Sequence, residues 1–107
     1  MKPHADLSKR VVVNINEGDW IADEIERLFR MPSHAYGDAQ VCLTKMDPGC
    51  TVPSHEHASV QEILVLEGTL EDEDGVYPKG IWLRFPAGSR HAPKSDEGCL
   101  LWVKRGI

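Results

Sequence analysis

Three histidines and one glutamine have the types and spacing of a metal site. His55 and His57 are one residue apart, Gln61 follows His57 after three residues, and His91 lies thirty-four positions beyond His57. Imidazole nitrogens are common ligands of Zn(II) and Fe(II), and residues two apart on a β-strand project to the same face. His55 and His57 are therefore predicted to bind one ion together, and His91 to join them through the fold.

Glycines and prolines frame these candidate ligands at fixed distances. Gly49 stands six positions before His55, and Gly68 stands seven positions after Gln61. A second frame leads up to the distant histidine and consists of Gly80, Pro86 and Gly88. A proline of fixed φ and a permissive glycine favour a tight turn, which would return the chain so that the third imidazole meets the first pair.

The two frames resemble the two sequence motifs of the cupin superfamily, at residues 49–68 and 80–95. The C-terminal two thirds of the chain is similar to the cupin domain of ChrR-type anti-sigma factors, and acetylacetone-cleaving dioxygenases carry a related cupin. The similarity is carried by Gln61–Gly68, Asp74–Gly80, Pro86–Pro93, Gly98–Cys99 and Trp102–Lys104. The resemblance implies an all-β fold, a single-domain cupin jelly-roll β-barrel over residues 1–107, with N-terminal strands within residues 1–48.

The identity of the fourth ligand has two solutions. If strand alternation continues without a bulge, Gln61 faces the barrel interior and Glu62 faces out. A β-bulge would instead aim Glu62 at the ion and supply the carboxylate that most cupins have. The family's motif spacing favours Gln61. The same resemblance leads us to expect an asparagine after the second-motif histidine, where this chain has Ser95.

The resemblance implies one divalent metal ion per chain, with Fe(II) or Zn(II) preferred and nickel or manganese as further options. Three neutral imidazoles and an amide would leave the charge of that ion uncompensated, so the site should attract anionic bidentate ligands such as a β-diketone enolate. Arg84 and Arg90 are candidates for orienting such a ligand, or are simply solvated. No catalytic base and no organic cofactor site can be assigned.

Three functions are compatible with this site. The first is a metal-dependent dioxygenase that acts on a small enolisable keto or diketone compound. The second is a ChrR-like sensory or regulatory cupin that binds zinc or a small ligand without turnover. The third is a metal-stabilised barrel without catalysis. One fold hosts many reactions, so the resemblance alone does not choose between them.

Apolar and β-branched runs separated by turn residues predict the strands that must position the site. These runs are Val11–Ile15, Gln40–Met46, Val60–Leu66, Ile81–Phe85 and Cys99–Val103. The segment from Trp20 to Met31 also fits helical spacing, and the resemblance favours a strand from about Ile25. The acidic run Glu71–Asp74 before Gly75 predicts a solvated hairpin tip. His4 and His34 are interpreted as exposed residues, His34 in a loop.

Composition limits the partners. A length of 107 residues and a net charge of −5 predict one domain without a nucleic-acid surface. No apolar run approaches the length of a membrane span, and the first six residues lack the apolar core of a signal peptide, which predicts a cytoplasmic protein. Cys42, Cys50 and Cys99 are an odd number without CxxC spacing and are predicted to be reduced thiols, of which Cys50 and Cys99 are expected to pack rather than to respond to redox changes.

The remaining expectations concern assembly. A small-molecule ligand or substrate is expected at the metal, and an open sheet edge favours a homodimer. Direct sigma-factor binding is not expected, because the chain lacks room for the helical zinc domain that precedes the cupin in ChrR-type proteins.

Overall fold

The computed structural model describes residues 8–36 and 39–106, with the side chains of 33–36 excepted. Within these residues the regular structure is entirely β, as predicted, and no helix could cross a membrane. The strands are β1 (Ile21–Ala22), β2 (Leu28–Tyr36), β3 (Ala39–Met46), β4 (Cys50–Thr51), β5 (His55–Glu56), β6 (Gln61–Asp72), β7 (Gly75–Pro78), β8 (Trp82–Phe85), β9 (Arg90–His91), β10 (Lys94–Ser95) and β11 (Cys99–Arg105).

One curled antiparallel sheet forms most of the molecule. Its strand order is β1-β2-β3-β11-β6-β10-β4, with β7 and β8 also paired to β6, while β5 and β9 form a separate two-stranded sheet. The long strand β6 connects the two halves of the barrel, because its first residues pair with β8 and β11 and its last residues pair with β7 and β10. Gly68 lies between these two parts of β6 and has a φ of 73°.

Four of the predicted strands are confirmed. Gln40–Met46 lies within β3, and Val60–Leu66 corresponds to the first half of β6, which begins one residue later. Ile81–Phe85 and Cys99–Val103 correspond to β8 and β11. The acidic run forms the predicted hairpin, in which Asp72 pairs with Gly75 across a two-residue turn.

The strand predicted at Val11–Ile15 is wrong. Residues 11–14 have no regular structure, residues 15–17 form a turn, and Val12 is 78% exposed. Strand propensity reflects packing against a paired and partly buried neighbour, which this segment does not have. His34, interpreted above as a loop residue, lies in β2. The exposure of its side chain, and everything about His4, lies outside the described residues.

The ambiguous segment from Trp20 to Met31 contains two strands and no helix. The strand expected from about Ile25 begins at Leu28, because a turn precedes it. In that turn the Asp23 carboxylate accepts a hydrogen bond from the Ile25 amide at 3.0 Å, and Arg27 has a φ of 67°. A residue with positive φ interrupts helical geometry, so the helical spacing here has no structural counterpart.

The barrel core consists of inward-facing residues from both halves of the sheet: Leu28, Met46, Cys50, Ile63, Val65, Leu70, Cys99, Leu101 and Val103. All three cysteines are free, as predicted, and two of them pack in this core. Burial raises the pKa of Cys99 to about 11 and also raises the pKa of Cys50. These two thiols therefore stay protonated and unreactive at neutral pH.

Candidate metal centre

The small sheet brings the two histidine motifs together. His55 on β5 lies directly opposite His91 on β9, so both side chains project to the same face. His57 follows β5 and is held to the second motif by two backbone hydrogen bonds. Its amide donates to the Ser89 carbonyl at 2.9 Å, and the Gly88 amide donates to the His57 carbonyl at 2.7 Å. The turn before His91 therefore brings this histidine beside the first pair, as the sequence predicts.

The three imidazoles converge on one point. The Nε2 atoms of His57 and His91 are 2.7 Å apart, and one ligand atom from each of the three histidines lies within 4.8 Å of the others. His57 and His91 are buried, at 6% and 4% exposure, whereas His55 is half-buried. Three imidazoles in this arrangement could hold one divalent metal ion.

A backbone carbonyl beside His55 sets the tautomer of its imidazole. Its Nδ1 lies 3.0 Å from the Pro53 carbonyl oxygen, which can only accept a hydrogen bond. Nδ1 must therefore carry the proton, which leaves the Nε2 lone pair of His55 available to a metal ion. A backbone carbonyl behind a histidine is a common support for a metal ligand, because it fixes the tautomer and the ring orientation.

The two buried histidines are held in the neutral form. Burial, together with the adjacent His91 and His55, lowers the pKa of His57 to about 4. Burial, followed by the charge of His55, also lowers the pKa of His91. Only a neutral imidazole donates a lone pair to a metal ion, so the lowered pKa values keep both side chains in the form that binds metal at neutral pH.

We expect the metal-free protein to lose stability as the pH falls from about 6.5 to about 4. In this range the unfolded chain takes up a proton on His57 that the folded protein resists, so acid favours the unfolded state. The loss should be on the order of 3 kcal/mol. Urea unfolding across this pH range measures it. His57→Gln lacks the titrating group and should show a shallower dependence; identical slopes in both proteins would contradict the assignment.

Gln61 and Glu62 point in opposite directions. Gln61 is buried and lines an inner cavity of about 60 Å³ together with His55 and His91. Glu62 lies opposite Arg84 of β8 on the outer face, and the two side chains approach to 3.7 Å. The register of β6 against β11 is continuous from Gln61 to Val65, so strand alternation is not broken by a bulge at this end.

Two buried polar atoms at the centre have no hydrogen-bond partner in the described part of the chain: Gln61 Oε1 and His91 Nδ1. A buried amide oxygen left unpaired costs about 1–3 kcal/mol, so the position of Gln61 Oε1 fits an atom that binds a metal ion. Ser95, which replaces the expected asparagine, is fully buried and donates to the Thr69 carbonyl at 2.5 Å. Its hydroxyl therefore links β10 to β6 and has a structural role.

A larger cavity of about 440 Å³ opens beside the imidazoles. His55, His57, Arg30 and Arg105 contribute to its lining, and His55 and both arginines also line the inner cavity. This volume lies within the range of roughly 300–1,000 Å³ that is typical of small-molecule sites. The site can therefore admit a small ligand next to the imidazoles.

The arginines proposed from sequence are not those at the cavity. Arg84 pairs with Glu62 and lies over the Trp82 ring, 5.0 Å from its centroid, and Arg90 is an exposed residue of β9. Sequence reasoning missed Arg30 and Arg105. A signal for the second was present, because the alternation of inward residues in β11, Leu101 and Val103, continues to Arg105.

Comparison with known proteins identifies the fold of this chain and its family. In the crystal structure of Rhodobacter sphaeroides SigE in complex with the anti-sigma ChrR, a matching chain is 20% identical, with a TM-score of 0.74, over 86% of this chain and 51% of that one. This chain thus spans about half of its length. An RmlC-like cupin from Shewanella frigidimarina is 19% identical, with a TM-score of 0.78, over 91% of this chain and 90% of that one.

The crystal structure of an acetylacetone dioxygenase from Acinetobacter johnsonii is similar over 91% of this chain and 72% of its own, at 13% identity and a TM-score of 0.77. At these identities the likenesses show the cupin fold alone. No curated protein matches this sequence. The family model described as the ChrR cupin-like domain matches residues 8–107, so this chain belongs to the ChrR cupin-like domain family.

Proposed function

We propose that this chain binds one divalent metal ion and acts with it as a dioxygenase on a small enolisable keto or diketone compound. The proposed ligands are three imidazoles and one labile amide, from His55, His57, His91 and Gln61. The observation that supports this most directly is the 2.7 Å approach of the Nε2 atoms of His57 and His91, with His55 within 4.8 Å. At this distance the two nitrogens share a proton in the metal-free protein, and a small separation of the rings would let both face one ion.

The charge of the ligand set favours an anionic compound. The cluster contains three histidines and no carboxylate among the described residues, and burial keeps His57 and His91 neutral. A divalent ion held by neutral ligands retains its full charge, so an enolate that chelates through two oxygens would be attracted to it. The adjacent cavity of about 440 Å³ leaves room for such a compound.

The choice of metal decides the reaction class. Dioxygen chemistry at this centre requires a redox-active ion, for which we propose Fe(II), because Zn(II) has no redox chemistry and would limit the site to binding or structural roles. Both oxygen atoms enter the cleaved compound in a dioxygenase reaction, so no external reductant is needed. The role of the protein is to orient the compound and to limit water, for which Ile25, Val52 and Pro53 provide apolar lining.

Family membership favours a second candidate, a sensory or regulatory cupin that binds its ligand without turnover. ChrR in the Rhodobacter complex is an anti-sigma factor, which is a property of that protein. A homodimer and a cytoplasmic location remain predictions. The outer face of the sheet carries a row of apolar side chains that suits a dimer contact: the half-buried Trp102, its neighbour Leu64 and the exposed Trp82.

We expect the Fe(II)-loaded protein to consume oxygen when pentane-2,4-dione or a related enolisable compound is added. An oxygen electrode measures this uptake. His91→Ala should abolish it, because the variant loses a buried nitrogen at the centre of the cluster. Glu62→Gln is the matched control and should retain it, because that side chain pairs with Arg84 on the outer face.

A flat oxygen trace over a panel of such compounds, together with tight retention of zinc, would contradict the dioxygenase proposal and favour the sensory candidate. Equal uptake in the wild type and His91→Ala would show that the oxygen is consumed elsewhere, for example by free iron in solution.

A further inference from the structure

Arg105 occupies a position inside the barrel mouth that the metal site does not use. It ends β11 directly opposite Gln61 of β6, and opposite residues of neighbouring antiparallel strands project to the same face. Gln61 is buried in the interior, so Arg105 faces inward as well. Arg105 lines both cavities together with His55.

A second arginine lies near it and already has a partner. Arg30 of β2 stands opposite the buried Thr44 of β3, so it also faces the interior. Its Nε donates to an Asp23 carboxylate oxygen at 2.8 Å. Arg105 has neither an ion pair nor a side-chain hydrogen bond with any residue that the structure describes. The two inward arginines therefore have one paired carboxylate between them, and it is bound to Arg30.

The lining of the two cavities contains one acidic residue, and it does not compensate Arg105. Glu56 contributes to the larger cavity, but it is exposed, and no ion pair joins the two side chains. An exposed carboxylate at the rim is screened by solvent and contributes little. A half-buried guanidinium is costly to desolvate unless an anion pairs with it, and its planar set of donors matches a carboxylate through two hydrogen bonds.

We propose that Arg105 is the anion-binding group of this cavity and that the ligand is a small enolisable keto acid, whose carboxylate pairs with Arg105. This inference rests on the proposed function for the role of the enol oxygens, which would face the imidazoles. The inference adds to the proposed function a carboxylate on the ligand and the residue that binds it. Arg105 therefore determines specificity: it selects acids over neutral diketones.

The test compares ligands that share a diketone and differ in a carboxylate. Zinc-loaded protein, which cannot turn over, is titrated calorimetrically with pentane-2,4-dione, 2,4-dioxopentanoate and 4,6-dioxoheptanoate. At least one acid should bind about tenfold or more tightly than the neutral diketone, as expected for a charge-assisted pair. Arg105→Met should remove this preference, and Arg105→Lys should keep part of it. Arg84→Met changes an equally charged residue on the outer face and should keep all of it.

A separate readout distinguishes a binding role from a structural one. Removing a positive charge beside the imidazoles should leave zinc affinity without ligand unchanged or raise it, because like charges oppose one another. Arg105→Met should therefore retain zinc at least as well as the wild type while losing its preference for acids. If Arg105→Met does not fold, Arg105→Lys decides: a partial loss of the preference for acids supports the inference, and an undiminished preference contradicts it.

Two results would overturn it. One is a wild type that binds acids and pentane-2,4-dione equally. The other is an acid preference that survives in folded Arg105→Met, which would place the carboxylate on the metal. If the wild type retains no zinc, the metal proposal fails separately, and the same titrations of metal-free protein decide: binding of acids that requires Arg105 supports the inference, and its absence refutes it.

Discussion

Replacing His57 with alanine should abolish retention of the metal. The side chain is 6% exposed and its Nε2 lies 2.7 Å from that of His91, so the variant would lose a central nitrogen of the cluster and gain a void. Two imidazoles and an amide do not hold a divalent ion through dialysis as three imidazoles do. We expect the metal-to-protein ratio, measured by elemental analysis, to fall from about one to near zero.

Controls on β6 separate the ligands from their neighbours. Glu62→Gln should keep the wild-type ratio, whereas Gln61→Ala should weaken metal binding about tenfold by removing the buried amide oxygen. If the double variant His55→Ala, His91→Ala retains the same ratio as the wild type, the metal binds elsewhere. A stronger loss in Glu62→Gln than in Gln61→Ala would reverse the assignment of the fourth ligand.

Among the glycines in the part of the chain that the structure describes, Gly68 should be the one where substitution by alanine is most damaging. A Cβ at residue 68 would overlap the Gly98 carbonyl oxygen and lie 2.8 Å from the Cys99 Cα, and both contacts are to backbone. The positive φ of 73° adds strain for any residue with a side chain. We expect a loss of at least ~3 kcal/mol, a large part of the stability of a small domain, measured by urea unfolding.

Gly80→Ala is the matched control. Gly80 also has a positive φ, of 95°, but nothing lies within 4 Å of a Cβ built there. Only conformational strain remains, so the loss should be about 1–2 kcal/mol. Equal losses in the two variants would show that the close contact between β6 and β11 relaxes, and that backbone conformation alone determines the effect.

Much of the site could be predicted from sequence because its rules are local. The two-residue spacing of His55 and His57 fixes their common face, and alternation along β6 separates Gln61 from Glu62 before any partner strand is known. The glycine and proline pattern near His91 specifies a turn by the same kind of local rule. These three expectations agree with where the structure places the side chains.

The errors concern residues whose environment depends on distant parts of the chain. Val11–Ile15 has strand composition, but no strand in the described structure pairs with it, and composition does not reveal whether a partner exists. Arg84 and Arg105 are both arginines on strands near the motifs. The alternation in β11 indicates that Arg105 faces inward, but that it reaches the cavity depends on its pairing with Gln61, forty-four positions earlier, after a register shift between Leu100 and Leu101.

The small sheet of β5 and β9 has a kinetic consequence. It joins the histidines through only two residue pairs, and backbone hydrogen bonds of His57 with Gly88 and Ser89 extend it. Segments with so few hydrogen bonds open locally at a fraction of the free energy of global unfolding. Amide hydrogens of Gly88 and His57 should therefore exchange faster than those in the middle of β6 and β11. Metal should leave by the same local opening, at a rate set by this two-stranded sheet while the rest of the barrel stays folded.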